Sequence, residues 1–196
     1  MPAVFVATRT YNGKAFLTSY DIYDVVPVYY QEVTTSYSET PVGYGHPWFL
    51  TGKVMIGGKE VSVVSLHFVW DCKEKRAQQI ADVIVWAKEQ EYCVILGDFN
   101  PQDYINKVEQ PLGRLNPDSN NVYREDWAKF IAAGFEPSNG GRFGTYGTTM
   151  NDGAPKNPYP WDCVFVSSNI KILDAEPVYE DWMDDHAIVW ADIEIN

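Results

Sequence analysis

Along much of this chain apolar residues alternate with polar ones in short runs closed by Gly, Asn or Pro, and that period of two predicts β-strands. The pattern predicts strands over 4–8, 15–19 and 25–34, with Asn12-Gly13 as the hairpin turn between the first two. A second hairpin is predicted from 49–56 and 60–68, joined at Gly57-Gly58. The period then changes. Over 73–90, Ile80, Val83, Ile84 and Ala87 recur at helical spacing, with Lys, Glu and Gln between them. The run Cys93-Val94-Ile95-Leu96 follows and reads as a buried strand, so the helix completes a β-α-β unit. A second helix is predicted over 124–133, stopping at Gly134. Residues 138–160 are rich in Gly, Asn and Pro and read as a long loop of the kind that often carries function. Two closing strands are predicted at 163–167 and 187–195.

Composition narrows this picture. The 196 residues are of single-domain length, and neither a repeat nor a linker marks a boundary within 1–196. Seven Trp and thirteen Tyr suit a β-rich core. No stretch approaches the ~20 apolar residues that cross a bilayer, and the N-terminal residues lack the pattern of a signal peptide. Fifteen basic against twenty-seven acidic residues give a net charge of −12, which argues against avid non-specific binding to nucleic acid. Acidity of this kind mainly serves solubility, although a divalent metal can offset local repulsion and leaves a nuclease open. Cys72, Cys93 and Cys163 have no C-x-x-C spacing; two lie in core strands and read as free thiols. With no signal peptide, this points to a reducing, cytoplasmic compartment.

Chemistry-bearing residues collect at the ends of the predicted strands. Gly97-Asp98-Phe99-Asn100 closes the buried run, before Pro101 breaks the chain. Asp98 can accept a proton or hold a cation, while the Asn100 amide both donates and accepts. His67 ends Ser65-Leu66-His67-Phe68, Asp162 opens Trp161-Asp162-Cys163-Val164-Phe165-Val166-Ser167, and His186 closes Asp184-Asp185-His186. Each has a plain structural reading as well. Asp and Asn after a strand are ordinary turn formers, Asp162 can cap its strand, and acidic pairs are mostly surface charges. A lone His67 reads as a structural histidine, as does His46 beside Pro47 and Trp48. The weight lies in their company: two of the three histidines fall within these motifs.

Together, in order and spacing, these four motifs resemble the endonuclease/exonuclease/phosphatase family, which includes deoxyribonuclease I, abasic-site endonucleases, inositol-polyphosphate 5-phosphatases and neutral sphingomyelinases. The segment Gly13 to Ile22 is similar to the family's small residue, apolar strand and polar turn, and the resemblance spans essentially the whole chain. It implies a four-layer α/β/β/α sandwich of two mainly antiparallel sheets flanked by helices. It also implies a phosphoester hydrolase of phosphodiesterase or nuclease type, dependent on Mg²⁺ or Mn²⁺. Such chemistry needs an activated water, charge stabilisation at the phosphorus and a metal to neutralise oxygens. By the resemblance, Asp162 orients His186 as an acid/base pair, and Asp98 and Asn100 orient water or phosphate. His67 binds a phosphate oxygen or acts as a second acid, and Asp185 ligates the metal. The substrate is a phosphoester: nucleic acid, phosphoinositide or phospholipid head group.

The sequence also departs from the family pattern. Members begin with a strand carrying Asn and a strand ending in Gln-Glu, whose Glu is a principal metal ligand. Gln31-Glu32 is present and Glu32 is a candidate for that ligand, but the pair follows the Gly13 to Ile22 segment that the family's pair precedes, so Glu32 reads first as a solvent-facing strand residue. The fold is therefore expected to be N-terminally incomplete, either the C-terminal part of an enzyme or a shortened member, holding its metal weakly. Trp161 stands where a basic residue and an aliphatic usually precede the Asp, and Asp184 stands where Ser usually precedes Asp-His. The competing reading is a non-catalytic binding module that kept the fold and lost a metal ligand.

Overall fold

The computed structural model describes residues 3–9, 12–31, 48–69, 73–101, 123–138, 161–178 and 186–195. In chain order these form β1 (Ala3–Arg9), β2 (Asn12–Leu17), β3 (Ile22–Tyr29), β4 (Trp48–Ile56), β5 (Lys59–His67), α1 (Lys73–Ala87) and β6 (Cys93–Asp98). Helix α2 (Tyr123–Ala132) follows, then β7 (Phe135–Pro137), β8 (Asp162–Ser167), β9 (Ile170–Val178) and β10 (Ile188–Ile195). Six strands make one sheet in the order β3-β4-β5-β6-β8-β7, while β1-β2 and β9-β10 are separate hairpins. Among the described residues, β5 and β6 are the one parallel pair, as the intervening α1 requires.

The large sheet is covered on both faces. On one face Phe49, Val64, Leu66, Ile95 and Phe165 pack against Ile80 and Val83 of α1 and Trp127 and Phe130 of α2. On the other, Val54, Val61, Val94, Val164 and Val166 meet Ile172, Val189, Ala191 and Ile193 of the β9-β10 hairpin. Phe16 of β2 packs with Trp48 and Leu50 on the same side. Both sides being apolar explains why the central strand β6 reads as a continuous hydrophobic run rather than an alternating one. The mixed α/β class with a doubled β layer agrees with expectation, and both described helices lie on the same outer face.

Local sequence explains most boundaries. Gly57 and Gly58 adopt φ of 58° and 82°, the positive values a two-residue hairpin turn requires, and they join β4 to β5 at the Ile56–Lys59 pair. In α1 the buried positions Arg76, Gln79, Ile80, Val83 and Ala87 form one stripe. Cys93 and Cys163 are free and buried, and burial pushes the Cys93 thiol up to about 12, so it is inert. Cys72 lies outside the described residues.

Three expectations are corrected. Arg9 pairs with Asn12 and Ala7 with Gly13, so Asn12 and Gly13 belong to β2 rather than to a turn. The strand expected at 25–34 begins three residues earlier, at Ile22, and ends at Tyr29. Strands β7 and β9 were absent from the sequence reading. The first has only three residues, and β9 carries Lys171, Asp174, Glu176 and Pro177 on a half-exposed hairpin, where alternation is weak.

Candidate active site

Strand register assembles the site. His67 is the partner of Asp98 across the parallel β5-β6 pair, and Asp98 is the partner of Asp162 across β6-β8. The three thus stand side by side at one edge of the sheet. By the period of two, all three share the face of Val63, Leu96 and Val164, which is the face covered by the hairpins. β10 packs against β8, and His186, two residues before it, reaches over Asp162.

The histidine and the carboxylate are tightly joined. His186 Nδ1 lies 2.7 Å from Asp162 Oδ2. An ionised carboxylate only accepts, so Nδ1 carries the proton and Nε2 is the nitrogen with the lone pair. Asp98 Oδ2 lies 4.0 Å from that Nε2 and 3.5 Å from His67 Nε2. Two imidazoles therefore flank one carboxylate oxygen. Trp161, the departure from the family pattern, is buried with its ring 6.0 Å from that of His186, where it walls the imidazole.

Asp98 itself is held from below. Asn100 donates its backbone N–H to Asp98 Oδ1 at 2.8 Å and its amide to Oδ2 at 3.1 Å, with a second amide hydrogen bond to the Phe68 carbonyl at 3.0 Å. This wrap needs φ of 40° at Asn100, a conformation Asn tolerates better than most residues. Phe99 points the other way, into the helix-side core against Phe68, Phe130 and Phe165. Alternation within one tetrapeptide thus anchors the loop on one face and presents the acid on the other. The chain past His67 is pinned in the same manner. Gln79 accepts from the Val69 N–H at 2.9 Å, and buried Arg76 donates to the Val69 carbonyl at 3.3 Å while pairing with Asp126 of α2 at 2.9 Å.

Burial, with the charges of Lys14 and His186 beside it, lowers the pKa of His67 below its ordinary value, against a smaller opposing effect of Asp162. Lys14 did not figure among the residues singled out from sequence. It sits on β2 two residues before the core residue Phe16, and by a period of two a lysine there points inward; that was the available signal.

Of the residues expected in the site, the structure brings together His67, Asp98, Asn100, Asp162 and His186. Asp184, Asp185, Glu32 and His46 lie outside the described residues. For a metal, Asp98, Asp162 and His186 each offer one ligand atom, all within 4.8 Å of one another. Two carboxylate oxygens and an imidazole nitrogen fit a divalent cation. Asp162 and His186 already hold each other, and both Asp98 oxygens accept from Asn100.

No protein-family model matches the sequence, and no curated protein matches it significantly. Solved structures do match. An endonuclease/exonuclease/phosphatase from Bacteroides vulgatus is 17% identical, with 100% of this chain and 76% of that one covered and a TM-score of 0.68. A 3′ phosphatase from Neisseria, bound to a product DNA hairpin, is 20% identical over 98% of this chain and 79% of its own, with a TM-score of 0.64. A mannosyl-6-phosphatase from Bacteroides thetaiotaomicron is 16% identical over 98% and 77%, with a TM-score of 0.59. The fold of this chain is that of the endonuclease/exonuclease/phosphatase proteins.

Proposed function

We propose that this chain is a divalent-metal-dependent phosphoester hydrolase of the endonuclease/exonuclease/phosphatase family, acting on a phosphodiester. The observation that carries the reading is the His186–Asp162 pair with His186 Nε2 4.0 Å from Asp98. Asp162 fixes the His186 tautomer, so that Nε2 takes a proton from the attacking water or gives one to the leaving oxygen. Asp98, immobilised by Asn100, orients the water. Asn100 is buried and its amide is committed to Asp98 and Phe68, so it positions Asp98 and does not itself meet substrate. His67, whose depressed pKa favours the neutral ring at pH 7, supplies a hydrogen bond to a phosphate oxygen. A divalent cation held by Asp98, with Asp185 or Glu32 as further oxygen donors, would neutralise phosphate charge when bound. With few carboxylates to share, it would bind weakly without substrate phosphate. The neighbours that are named as a 3′ phosphatase and a mannosyl-6-phosphatase support phosphoester chemistry on this fold.

The test is hydrolysis of bis(p-nitrophenyl) phosphate against p-nitrophenyl phosphate, with Mg²⁺ or Mn²⁺ and with EDTA. The reading expects metal-dependent turnover of the diester, abolished by EDTA and lowered ~10²–10⁴-fold in His186→Ala. Turnover of the monoester alone would move the substrate class to phosphatase. A His186→Ala rate equal to wild type refutes the mechanism, and a chain inert under every condition favours the binding-module reading.

A further inference from the structure

Lys14 is an oddity in energetic terms. Its side chain is buried at 5% exposure, and among the described residues its Nζ has no hydrogen-bond partner. The ammonium lies 4.4 Å from the centroid of the Trp48 ring, itself in the core. A cation over an aromatic face recovers only a small part of the hydration an ammonium gives up. Removing an ammonium from water without a partner costs several kcal/mol even after relaxation. Trp48 therefore does not account for this lysine. Burial lowers its pKa to about 7, so it sits where an arriving anion would fix the proton in place. Its position tells which anion. β2 packs against β4 and β5, and Trp48, under the ammonium, shares a face of β4 with Leu50, the register partner of Ser65 two residues before His67. The ammonium over the Trp48 ring thus stands on the face of the sheet that His67 shares.

We propose that Lys14 is a substrate-binding residue whose ammonium donates to a non-bridging phosphate oxygen beside His67. The inference rests on the phosphoester reading above and deepens it. Lys14 and His67 hold the phosphoryl group on one side of Asp98, with His186 on the other. A buried cation there supplies positive charge from the protein itself, beside that of any bound metal. The three hydrogens of an ammonium also allow it to follow the oxygens as the phosphorus changes geometry.

The probe is inorganic phosphate in the presence of EDTA, which separates the lysine from any metal. In the full chain labelled with ¹³C-lysine, the Lys14 resonance is the signal that disappears in Lys14→Met. Adding phosphate at pH 7.5 is expected to move that resonance toward the protonated position in wild type. Calorimetry is expected to show phosphate binding weakened at least tenfold in Lys14→Met. Lys14→Met replaces an unpartnered buried charge by an apolar side chain of similar length, so its melting temperature should equal or exceed that of wild type, which excludes misfolding as the cause. Lys14→Arg keeps the charge and is expected to recover part of the affinity. A Lys14 resonance indifferent to phosphate, or equal phosphate affinity in wild type and Lys14→Met, overturns the proposal. If diester hydrolysis persists in that case, the phosphoester reading stands without Lys14; if wild type neither binds phosphate nor hydrolyses the diester, both fall.

Discussion

Gly97 is the residue on which the geometry of the site depends most directly, and Gly97→Ala makes the dependence measurable. Its φ is 141°, a backbone conformation that L side chains rarely adopt. A Cβ built there collides with the Leu66 carbonyl oxygen and lies 2.9 Å from the Leu66 carbonyl carbon. Leu66 is its register partner on β5, one residue before the His67–Asp98 pair. Two costs follow. Holding a non-glycine residue in such a region costs ~1–3 kcal/mol, and forcing atoms into a filled position costs a further ~1–3 kcal/mol. Together they come to about 4 kcal/mol, roughly a thousandfold in the folding equilibrium, against a typical total of ~5–15 kcal/mol. With an m-value of ~2 kcal/mol/M the urea midpoint should fall by about 2 M, read by circular dichroism and tryptophan fluorescence. The backbone can relieve the collision only by parting β5 from β6, which separates His67 from Asp98. The folded fraction should therefore also lose diester hydrolysis beyond what unfolding explains. A midpoint within ~0.3 M of wild type, with unchanged specific activity, would show that this close approach does not constrain the site.

Asp162→Asn should leave the fold intact, since Asn can retain a hydrogen bond to His186, but lower kcat by ~10²–10⁴-fold with little change in KM; a rate within twofold of wild type would remove Asp162 from the mechanism. Asp126→Ala strands the buried Arg76 guanidinium, which is 2.9 Å from the Asp126 carboxylate, and should cost ~3–5 kcal/mol by urea denaturation, whereas the double change Arg76→Met with Asp126→Leu should come close to neutral. In metal-free protein, NMR titration should place the His67 midpoint below that of a free histidine, and Lys14→Met should raise it by removing a neighbouring positive charge. The folded state binds that proton less readily than the unfolded chain, so His67 costs stability as pH falls through the ordinary histidine range toward its own lower value. A His67 midpoint unmoved by Lys14→Met would separate the two residues.

What the sequence disclosed, and what it withheld, follows from the range of each physical signal. Gly97-Asp98-Phe99-Asn100 was legible because its alternation is local: Phe99 must enter the core, so Asp98 must face away from it. Helix α1 was legible because its buried stripe recurs through four turns. Register is not local. Nothing within 59–67 or 93–98 states that His67 should stand opposite Asp98, because a shift of one residue would leave both runs just as apolar while turning their side chains to the other face. The cross-strand resolution comes from outside these segments. Asn100 ties its own loop to the Phe68 carbonyl, and Gln79 and Arg76 of α1 tie down Val69, so the ends of β5 and β6 are locked side by side by polar groups buried between them. Lys14 escaped notice for the opposite reason. The strand was read as starting at Ala15, which left Lys14 between it and the turn, yet a lysine at an inward position of a short strand is a local signal with a cost attached, and a fold retains such a cost most readily where a ligand offsets it. The site is thus built from two kinds of information: side chains whose direction follows from alternation alone, and buried polar ties that decide which of those side chains become neighbours.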